Sequence, residues 1–282
     1  MTIAVTGATG FIGRHVVAEL DRRSLPAVLV CRSPDRVPSP FGHHRVVTCD
    51  IGSPPADAFD TLGRPDTLIH LAWGGLPHYN SLHHFEVELP IHYAFVKRLV
   101  ESGLRNCLVT GTCFEYGQQS GQLREDSATC PGSPYGLAKD TLRRQLEFLR
   151  RTTPFNLTWA RLFYLYGEGQ ASGSLLPQIT KAVAQGSAEF AMSGGEQLRD
   201  YLPARVVAAH LVSLALTGGD NGVVNICSGA PVSVRTLVEG WIREHDWSIA
   251  PVFGRFPYPE HEPMAFWGDA SKLSRLLQQD RA

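Results

Sequence analysis

A tyrosine and a lysine four positions apart, Tyr135 and Lys139, have the clearest chemical potential of any residues in this sequence. Residues at this spacing lie on one face of an α-helix, so their phenol and ammonium groups can meet. A neighbouring cation stabilises a phenolate, which predicts that Tyr135 exchanges a proton well below its ordinary pKa of about 10. The turn at residues 131–134 predicts a helix that starts beside Tyr135. Because the same spacing is common among surface residues, the interpretation depends on the residues that accompany the pair.

A hydroxyl residue, Thr112, ends the segment Leu-Val-Thr-Gly-Thr at residues 108–112, which is typical of a buried strand. Ligands of open α/β sheets bind at the carboxyl ends of the strands, so Thr110 and Thr112 are expected close to a ligand. We expect Thr112 to hydrogen-bond a substrate oxygen beside Tyr135. The alternative is a hydroxyl that only satisfies a turn at the strand end.

Three glycines at positions 7, 10 and 13 predict a dinucleotide site, because they follow a β-branched strand, open an amphipathic helix and precede a second apolar strand. Gly7 permits the tight turn, Gly10 lets a pyrophosphate approach the backbone, and Gly13 lets helix and strand pack closely. The N–H groups and the positive dipole end of the helix then face the anion. A purely structural glycine turn is the alternative. The residues expected to bind the cofactor here are Gly7, Thr9, Gly10, Phe11, Ile12 and Gly13.

The second strand favours NADP(H) over NAD(H) as the cofactor. An acid at the end of this strand would bind the ribose hydroxyls of NAD, whereas an arginine accommodates a 2′-phosphate. The strand ends in Arg32 and Ser33, and the first carboxylate after them is Asp35. Arg32 could instead be simply solvated, as most arginines are, and NAD(H) is the alternative cofactor.

Motifs in order along nearly the whole chain resemble the extended short-chain dehydrogenase/reductase family, in its nucleotide-sugar epimerase/dehydratase branch. Besides the glycine turn and the Tyr135–Lys139 pair, the matching segments are Thr-Cys-Asp-Ile at 48–51, Ile-His-Leu-Ala at 69–72, the strand end at 112–117, residues 161–167, Arg-Asp-Tyr at 199–201, Val-Asn-Ile at 224–226 and residues 268–273. The resemblance implies an NAD(P)-dependent oxidoreductase that acts on a nucleoside-diphosphate sugar.

The resemblance also implies roles for individual residues. Thr112, Tyr135 and Lys139 correspond to the catalytic triad of the family, in which Tyr135 transfers the proton. Asp50 corresponds to an acid near the adenine, and Arg199 to a cation that meets the diphosphate of the substrate. Further cofactor contacts are expected from Ile51, Leu71, Ala72, Thr110, Tyr135 and Lys139.

Departures from the family pattern bear on the reaction. Family members that dehydrate sugars carry Asp-Glu directly after the triad threonine, where this chain has Cys113 and Phe114. Glu115 would point the other way on an extended segment, so dehydration is not expected, and Cys113 and Phe114 are expected at the substrate. Tyr164 stands where the family often has an asparagine that holds the sugar phosphates, and its phenol can donate one hydrogen bond. Trp73, after the fourth strand, either lines the sugar pocket or packs under a loop.

These observations predict a reductase that uses NADPH to reduce the 4-keto group of a nucleoside-diphosphate 6-deoxyhexose, with Tyr135 as the proton donor. Lys139 would lower the pKa of Tyr135 and hold the nicotinamide ribose. One alternative is a 4-epimerase, which uses the same triad but retains NAD(H). Another is a catalytically silent regulator that senses NADP on the same fold, since fold does not imply function.

The composition is typical of a soluble protein of a reducing cytoplasm. The 26 Lys and Arg residues nearly balance the 27 Asp and Glu residues, so the charge indicates neither a nucleic-acid partner nor a membrane surface. We expect no transmembrane segment and no signal peptide, and the six cysteines lack metal or redox spacing. His78, His83, His84 and His92 also lack the spacing of a metal site, so no metal is expected.

Alternating strands and helices must position these residues, and the alternation predicts a doubly wound parallel sheet of the α/β class. Strands are expected near 2–6, 27–31, 45–48, 67–71, 107–111 and 157–163. Helices are expected near 11–23, 83–102, 135–151, 175–185, 204–216 and 233–245. Residues 1–164 with 199–226 are expected to form a Rossmann-type NADP-binding domain, and residues 165–198 with 227–282 a smaller substrate-binding lobe.

The helices near 83–102 and 135–151 carry more apolar residues than one buried face requires, namely Phe95, Leu99, Leu142, Leu146 and Leu149. In the family that the chain resembles, the equivalent helices pair with their mates across a twofold axis. A closed twofold dimer is also the commonest oligomer. We therefore expect a homodimer.

Overall fold

Seven parallel strands form the central sheet of the protein, which a computed structural model describes over residues 1–37, 44–258 and 263–279. Numbered along the chain, the strands of the described residues, both inside and outside this sheet, are β1 (Ile3–Thr6), β2 (Ala27–Cys31), β3 (Arg45–Thr48), β4 (Thr67–His70), β5 (Asn106–Thr112), β6 (Gly121–Leu123), β7 (Asn156–Leu162), β8 (Tyr164–Tyr166), β9 (Glu189–Ala191), β10 (Leu198–Arg199), β11 (Tyr201–Pro203), β12 (Gly222–Ile226), β13 (Val232–Ser233), β14 (Ala250–Val252) and β15 (Phe266–Gly268).

Helices connect these strands and cover both faces of the sheet. They are α1 (Phe11–Arg22), α2 (Ala58–Thr61), α3 (Leu89–Glu101), α4 (Pro134–Thr152), α5 (Leu175–Ala184), α6 (Ala204–Leu216), α7 (Val234–Glu244) and α8 (Ser271–Gln279). Single turns of 3₁₀-helix occur at Pro34–Arg36 and Cys113–Tyr116, and a π-helical turn at His84–Glu88 leads into α3.

The strand order of the sheet is β12-β7-β5-β4-β1-β2-β3. Chain order reverses between β1 and β4, and ligands of such sheets bind at this switch point, outside the carboxyl ends of the strands. The register pairs Thr6 at the end of β1 with Val30 of β2 and with His70 of β4. The doubly wound α/β fold predicted from the sequence is confirmed.

Two hydrophobic layers sandwich the sheet. On one face α1 and α6 pack their apolar residues, among them Leu20 and Leu211, against β1 and β12. On the other face α3 and α4 bury residues such as Phe95 and Leu146 against β4, β5 and β7. Strands covered on both faces carry apolar runs rather than alternation, and β1, β2 and β4 are accordingly buried along their whole length.

Smaller pairs of strands build the region beyond the sheet. Strand β8 pairs with β11, β9 with β14, β10 with β13 and β6 with β15. A separate hydrophobic cluster around Ile179 of α5 and Trp241 of α7 stabilises this region. Its elements fall mostly within the ranges predicted for the substrate lobe, and the division into domain and lobe stays a prediction.

Most predicted elements agree with the structure to within two residues, but three differences are informative. The helix predicted near 83–102 is divided, because the chain forms a π-helical turn before α3 begins at Leu89 with Pro90 in its first turn. The edge strand β12 and the terminal helix α8 were not predicted. Strand β12 pairs with β7 at one edge of the sheet, and α8 is a nine-residue helix that buries Leu273 against the core.

The five apolar residues of α3 and α4 that were used to predict a dimer surface lie inside the protein instead. Within the single chain, the five side chains are between 0 and 6% exposed, because they form the layer between the sheet and helices α3 and α4. The argument for a homodimer from these five residues is therefore wrong, because they are not available at the surface of the chain. The set is Phe95, Leu99, Leu142, Leu146 and Leu149.

In the part of the chain that the structure describes, none of the helices combines the length and apolar character required to cross a bilayer.

Candidate active site

The glycine turn between β1 and α1 forms the floor of a cleft of about 300 Å³. Gly7 has a φ of +70°, and a Cβ atom at this position would lie 2.7 Å from the backbone nitrogen of Ala72. Only glycine therefore fits at this turn. Gly10 is the N-cap of α1 and carries no side chain that could cover the N–H groups of the first turn. The turn thus offers a dinucleotide phosphate the open start of a helix.

Nine of the predicted cofactor and substrate residues line this cleft: Gly7, Thr9, Gly10, Arg32, Asp50, Ile51, Leu71, Ala72 and Trp73. The sequence interpretation missed several others on its wall, including Thr6, Cys31, Cys49, Glu88 and His92. Phe11 and Ser33 adjoin lining residues in the chain but, like Ile12 and Gly13, lie outside the wall itself. The residues present fit an elongated dinucleotide, with the glycine turn midway along the cleft.

At the β2 end of the cleft, Arg32 is exposed and belongs to the wall. Asp50 also lines it, and its Oδ1 accepts a hydrogen bond from the N–H of Gly52 at 3.0 Å. This end therefore offers one cation and one carboxylate, as the sequence interpretation expected for the adenosine part of a cofactor.

Thr112 ends β5 and begins a 3₁₀ turn that fixes its position. Its N–H donates to Oε1 of Glu115 at 2.8 Å, and its hydroxyl accepts from the N–H of Phe114 at 3.3 Å. This reciprocal arrangement is a capping box, which holds both ends of the turn. The hydroxyl also lies within hydrogen-bonding reach of the Tyr135 phenol.

Helix α4 presents Tyr135 and Lys139 on its inner face. Ser133 is the N-cap and accepts a hydrogen bond from the N–H of Gly136 at 3.2 Å, while the N–H of Tyr135 donates to the carbonyl of Tyr79 at 3.1 Å. Tyr135 is 8% exposed and Lys139 is 2% exposed. The Lys139 ammonium donates to the carbonyl of Thr110 on β5 at 2.9 Å. The three predicted triad residues therefore meet at the carboxyl end of β5.

Burial controls the ionisation of this pair. It raises the pKa of Tyr135 well above its usual value, and neighbouring Tyr79 and Glu115 act in the same direction. Burial lowers the pKa of Lys139 to about 7, although Glu115 and Glu88 oppose this shift. The expectation of a Tyr135 pKa well below its ordinary value is wrong for this structure, because burial disfavours the phenolate. Tyr135 is a protonated phenol here, which suits a proton donor.

Aromatic rings surround the Tyr135 phenol. The ring centroids of His84, Tyr79, Trp73 and Phe114 lie 5.2, 5.5, 6.1 and 6.3 Å from that of Tyr135. Trp73 and Phe114 were predicted as substrate residues, whereas Tyr79 and His84 were not. Cys113, the other predicted residue here, is buried behind Phe114.

A chain of hydrogen bonds links the end of β1 to the surface through two buried histidines. Thr6 Oγ1 lies 2.8 Å from His70 Nδ1, His70 Nε2 lies 2.7 Å from His92 Nδ1, and His92 Nε2 lies 3.0 Å from Glu88 Oε2. His83 contacts the other oxygen of Glu88 at 2.9 Å. Because a carboxylate only accepts hydrogen bonds, both buried histidines carry their proton on Nε2 and Thr6 donates to His70.

Glu88 is the anchor of this chain. Burial alone would raise its pKa, but hydrogen bonds from His92, from the N–H of Gly74 and from His83 lower the pKa to about 2. Burial lowers the pKa of His70 and of His92, so both rings are neutral near pH 7. The sequence contains one signal of this contact, since Glu88 and His92 are four residues apart, a helical spacing.

Glu115 is turned into the protein interior. The carboxylate is fully buried and accepts hydrogen bonds from Trp159 Nε1 at 3.0 Å and from Arg161 Nε at 2.8 Å. A carboxylate held by these partners cannot serve as an acid or base for a bound sugar. The expectation that Glu115 points away from the substrate agrees with this geometry.

Arg199 lies at the junction of the two regions and not on the cleft wall, in the part of the chain that the structure describes. It is 2% exposed, with its guanidinium carbon 4.8 Å from the ring centroid of Phe266 and 5.8 Å from that of Tyr164. Asp200 accepts hydrogen bonds from the backbone N–H groups of Ser228 and Gly229 at 2.7 and 2.9 Å. Tyr164 is half-buried and contacts Phe114 edge to face at 6.4 Å, which connects Arg199 to the aromatic site.

The sequence model of the NAD dependent epimerase/dehydratase family matches residues 3–227, a range that contains the whole central sheet. The chain belongs to this family. It is 31% identical over 271 residues to a dTDP-6-deoxy-L-talose 4-dehydrogenase (NAD(+)) of Aggregatibacter actinomycetemcomitans, covering 95% of this chain and 99% of that protein. It is 26% identical over 254 residues to a dTDP-4-dehydro-6-deoxyglucose reductase of Escherichia coli, covering 84% and 79% of the two chains.

Solved structures share the fold. The structure of MoeE5 in complex with UDP-glucuronic acid and NAD superposes with a TM-score of 0.81 at 27% identity, covering 99% of this chain and 93% of that one. The resemblance to extended short-chain dehydrogenases/reductases is thereby confirmed, and the protein is an NAD(P)-dependent enzyme of this type.

Proposed function

We propose that this protein is a reductase that uses NADPH to convert the 4-keto group of a dTDP-4-keto-6-deoxyhexose into an alcohol. Two relatives support the substrate class, because the names of both describe oxidation or reduction at position 4 of a dTDP-linked 6-deoxyhexose. The aromatic rings around Tyr135 support it as well, since they offer an apolar surface to a sugar that carries a methyl group.

The residues of the site suggest a division of labour. The cofactor, when bound along the cleft with its phosphates at the start of α1, supplies the hydride. Thr112 orients the substrate carbonyl by hydrogen bonding, and Tyr135 donates its phenolic proton to the carbonyl oxygen. The ammonium of Lys139 stabilises the phenolate that remains on Tyr135. Burial suits this sequence of events, because it keeps Tyr135 protonated until the oxygen develops negative charge.

The observation that carries the proposal is the meeting of Thr112, Tyr135 and Lys139 at the carboxyl end of β5, next to the cleft. A dehydratase needs a carboxylic acid close to the triad threonine. Cys113 and Phe114 occupy those positions, and Glu115 is bound by Trp159 and Arg161. Besides the hydride that NADPH would supply, reduction needs only a proton donor, and Tyr135 can fill that role.

Mass spectrometry of the products after incubation with NADPH and a panel of dTDP-, UDP- and GDP-linked 4-keto-6-deoxyhexoses tests the proposal. A reductase yields a product heavier by two hydrogens together with oxidised cofactor. Inversion at C4 of a UDP-linked hexose that carries a C4 hydroxyl, incubated in parallel and without net change in the cofactor, would instead identify a 4-epimerase, and loss of water a dehydratase. The nucleotide of the substrate that reacts best also identifies the base.

The preference for NADPH is part of the proposal and rests on Arg32, which is exposed on the cleft wall. We also propose that Arg199, backed by Tyr164, provides the positive charge for the substrate diphosphate. The cofactor would bind to residues 1–164 with 199–226, and the nucleotide sugar between these and the lobe of residues 165–198 and 227–282.

A homodimer through the outer faces of α3 and α4 completes the proposal. Support comes from Phe148 and Leu137 on α4, which are 62% and 46% exposed, and from the frequency of twofold dimers among oligomers.

A further inference from the structure

We propose that Trp73 is a positioning residue for Lys139: its indole ring holds the lysine ammonium beside Tyr135 and keeps it charged in a buried site. The inference rests on the proposed function, in which the charge on Lys139 supports proton donation by Tyr135. Trp73 itself has no proton to exchange with a substrate carbonyl, so it would act through the lysine.

The geometry is that of a cation–π contact. The Lys139 ammonium nitrogen lies 3.8 Å from the centroid of the Trp73 ring, within the range in which the ring quadrupole attracts a cation. Such contacts are strongest where water is excluded, and Lys139 is only 2% exposed. The carbonyl of Thr110 accepts one hydrogen bond from the ammonium, so the ring and the carbonyl together replace part of its water shell.

A second ring packs against the indole. The ring of His92 stacks on Trp73 with centroids 4.5 Å apart and an angle of 16° between the planes. Glu88 and His70 fix His92 through hydrogen bonds, which gives the indole a rigid support.

The edge of the indole is fixed by a hydrogen bond. Trp73 Nε1 donates to His84 Nδ1 at 3.1 Å, and His84 Nε2 in turn contacts the carbonyl of His78 at 3.0 Å. The ring can therefore neither rotate in its plane nor move away from Lys139 without losing these contacts. Contacts with Lys139, His92 and His84 thus fix the indole, as a positioning residue requires.

The charge of Lys139 is sensitive to small changes, because burial lowers its pKa to about 7. Near neutral pH the charged and neutral forms are then similarly populated, so any contact that favours the ammonium changes the active fraction. Glu115 and Glu88 favour the charged form, whereas the buried rings of His70 and His92 are neutral near pH 7. The ionisable groups that face Lys139 are Glu115, Glu88, His70, His84, His92 and, on its own helix, Tyr135.

Direct titration of Lys139 tests the inference without any substrate. The chain has only four lysines, Lys97, Lys139, Lys181 and Lys272, so protein labelled with ¹⁵N-lysine gives a simple spectrum of side-chain nitrogens. Lys139→Arg assigns the signal. The variants Trp73→Phe and Trp73→Leu differ little from each other in side-chain volume, so the difference between them isolates the aromatic face.

We expect the titration midpoint of Lys139 to fall in the order Trp, Phe, Leu at position 73, by about one pH unit from Trp to Leu. Lys272, which donates to the carbonyl of Asn221 at 2.7 Å, should keep its midpoint in all variants. A midpoint in Trp73→Leu equal to or above that in Trp73→Phe would overturn the inference, because water entry would then matter more than the ring.

The pH dependence of turnover gives the second readout, with dTDP-4-keto-6-deoxyglucose as substrate. In Trp73→Leu the alkaline limb of kcat should move to lower pH by the same amount. Trp247→Leu is the matched control, since Trp247 stacks on His245 with centroids 4.6 Å apart, and it should keep the limb of the unmodified enzyme.

The two possible failures are distinguishable. If the Lys139 midpoint moves as expected but the unmodified enzyme does not oxidise NADPH with any sugar of the panel, the proposed function fails and the contact between Trp73 and Lys139 stands. If the enzyme is active and the midpoint and the alkaline limb stay in place in Trp73→Leu, the role of Trp73 is refuted. Tighter NADPH binding by Trp73→Leu with an unmoved midpoint also refutes it, because the indole would then obstruct the cofactor.

Discussion

At the scale of single residues, burial distinguishes Tyr135 and Lys139 from the many tyrosine–lysine pairs on helix surfaces. Burial favours the neutral form of each group, since it raises the pKa of Tyr135 and lowers that of Lys139 to about 7. The Tyr135 phenol therefore stays protonated until negative charge develops on the substrate oxygen. The spacing of the two residues could be read from the sequence, but their burial depends on the rings of Trp73, Tyr79 and Phe114.

Replacing Tyr135 by Phe removes the proposed proton donor and preserves most of the ring volume. We expect kcat to fall by about 10²–10⁴-fold, the usual contribution of a positioned acid, with little change in the dissociation constant for NADPH. Steady-state kinetics and a fluorescence titration with NADPH measure the two quantities. Turnover close to that of the unmodified enzyme would remove Tyr135 from the mechanism.

Arg32 is expected to select the cofactor. A charge-assisted hydrogen bond between an arginine and a 2′-phosphate contributes about 1.5–3 kcal/mol, which predicts a roughly ten- to hundredfold preference for NADPH over NADH. Arg32→Asp should remove or reverse this preference. Titration of both proteins with both reduced cofactors provides the comparison, and an unmodified enzyme that prefers NADH would show that the end of β2 was misinterpreted.

Arg199 is expected to bind the diphosphate of the substrate. Arg199→Met keeps an apolar stem but loses the charged guanidinium, which lies close to the rings of Phe266 and Tyr164. The free energy of dTDP binding should weaken by roughly 1.5–3 kcal/mol, as measured by isothermal titration calorimetry. Arg205→Met on the exposed start of α6 is the matched control. Equal affinity for dTDP in both variants would assign Arg199 to the packing of the junction alone.

At the scale of elements, the π-helical turn before α3 is joined to the sheet by Glu88. Its carboxylate accepts from Gly74 in the loop after β4 and from His92 on α3. Because the pKa of Glu88 is lowered to about 2 from a model-peptide value of 4.5, the ionised group stabilises the fold. That contribution is complete above about pH 5 and is lost as the pH falls towards 2.

Glu88→Gln should therefore reduce the free energy of unfolding at pH 7 by an amount on the order of 3 kcal/mol, and the deficit should shrink as the pH falls. Urea unfolding at pH 7, 5 and 3 measures it. The control is Glu86→Gln, an exposed residue in the same turn, which should change stability by less than about 0.5 kcal/mol. A deficit independent of pH would mean that the shape of Glu88 matters and its charge does not.

The elements that could be predicted are those whose sequence signals lie close together along the chain. The unit β1–α1–β2 could be predicted because its signals, a β-branched run, three glycines and a helical period, lie within about thirty residues. The chain from Thr6 through His70 and His92 to Glu88 could not, because it joins three separate segments whose packing the sequence does not display. Helix α8 was missed for a similar reason, since Leu273 acquires its partners only through the tertiary fold.

At the scale of the whole molecule, helices α3 and α4 show that the number of apolar residues on a helix does not by itself predict a dimer surface. Five apolar residues were counted beyond those that one buried helical face requires, yet packing against the sheet buries all five within one chain. The outward residue Phe148, 62% exposed, is a better candidate for an interface. It lies near the end of α4, far along the helix from Tyr135.

Light scattering should give twice the 30.9 kDa mass of the chain at micromolar concentration. Phe148→Asp places a charge in the proposed interface and should shift the equilibrium towards the monomer, because an unpaired charge is costly to bury. Thr141→Asp, about two turns before Phe148 on the same helix, shows how far the interface extends towards the catalytic residues. A monomeric mass for the unmodified protein would contradict the dimer.

The transfer of isotope from cofactor to sugar tests the proposed reaction most directly. The enzyme is incubated with dTDP-4-keto-6-deoxyglucose and NADPH deuterated at the reactive carbon of the nicotinamide, and the product is analysed by mass spectrometry and NMR. A reductase predicts one deuterium at C4 of the sugar for each molecule of NADP⁺ formed. An isomerised sugar without deuterium and without net NADP⁺, or a dehydrated product, would contradict reduction at C4.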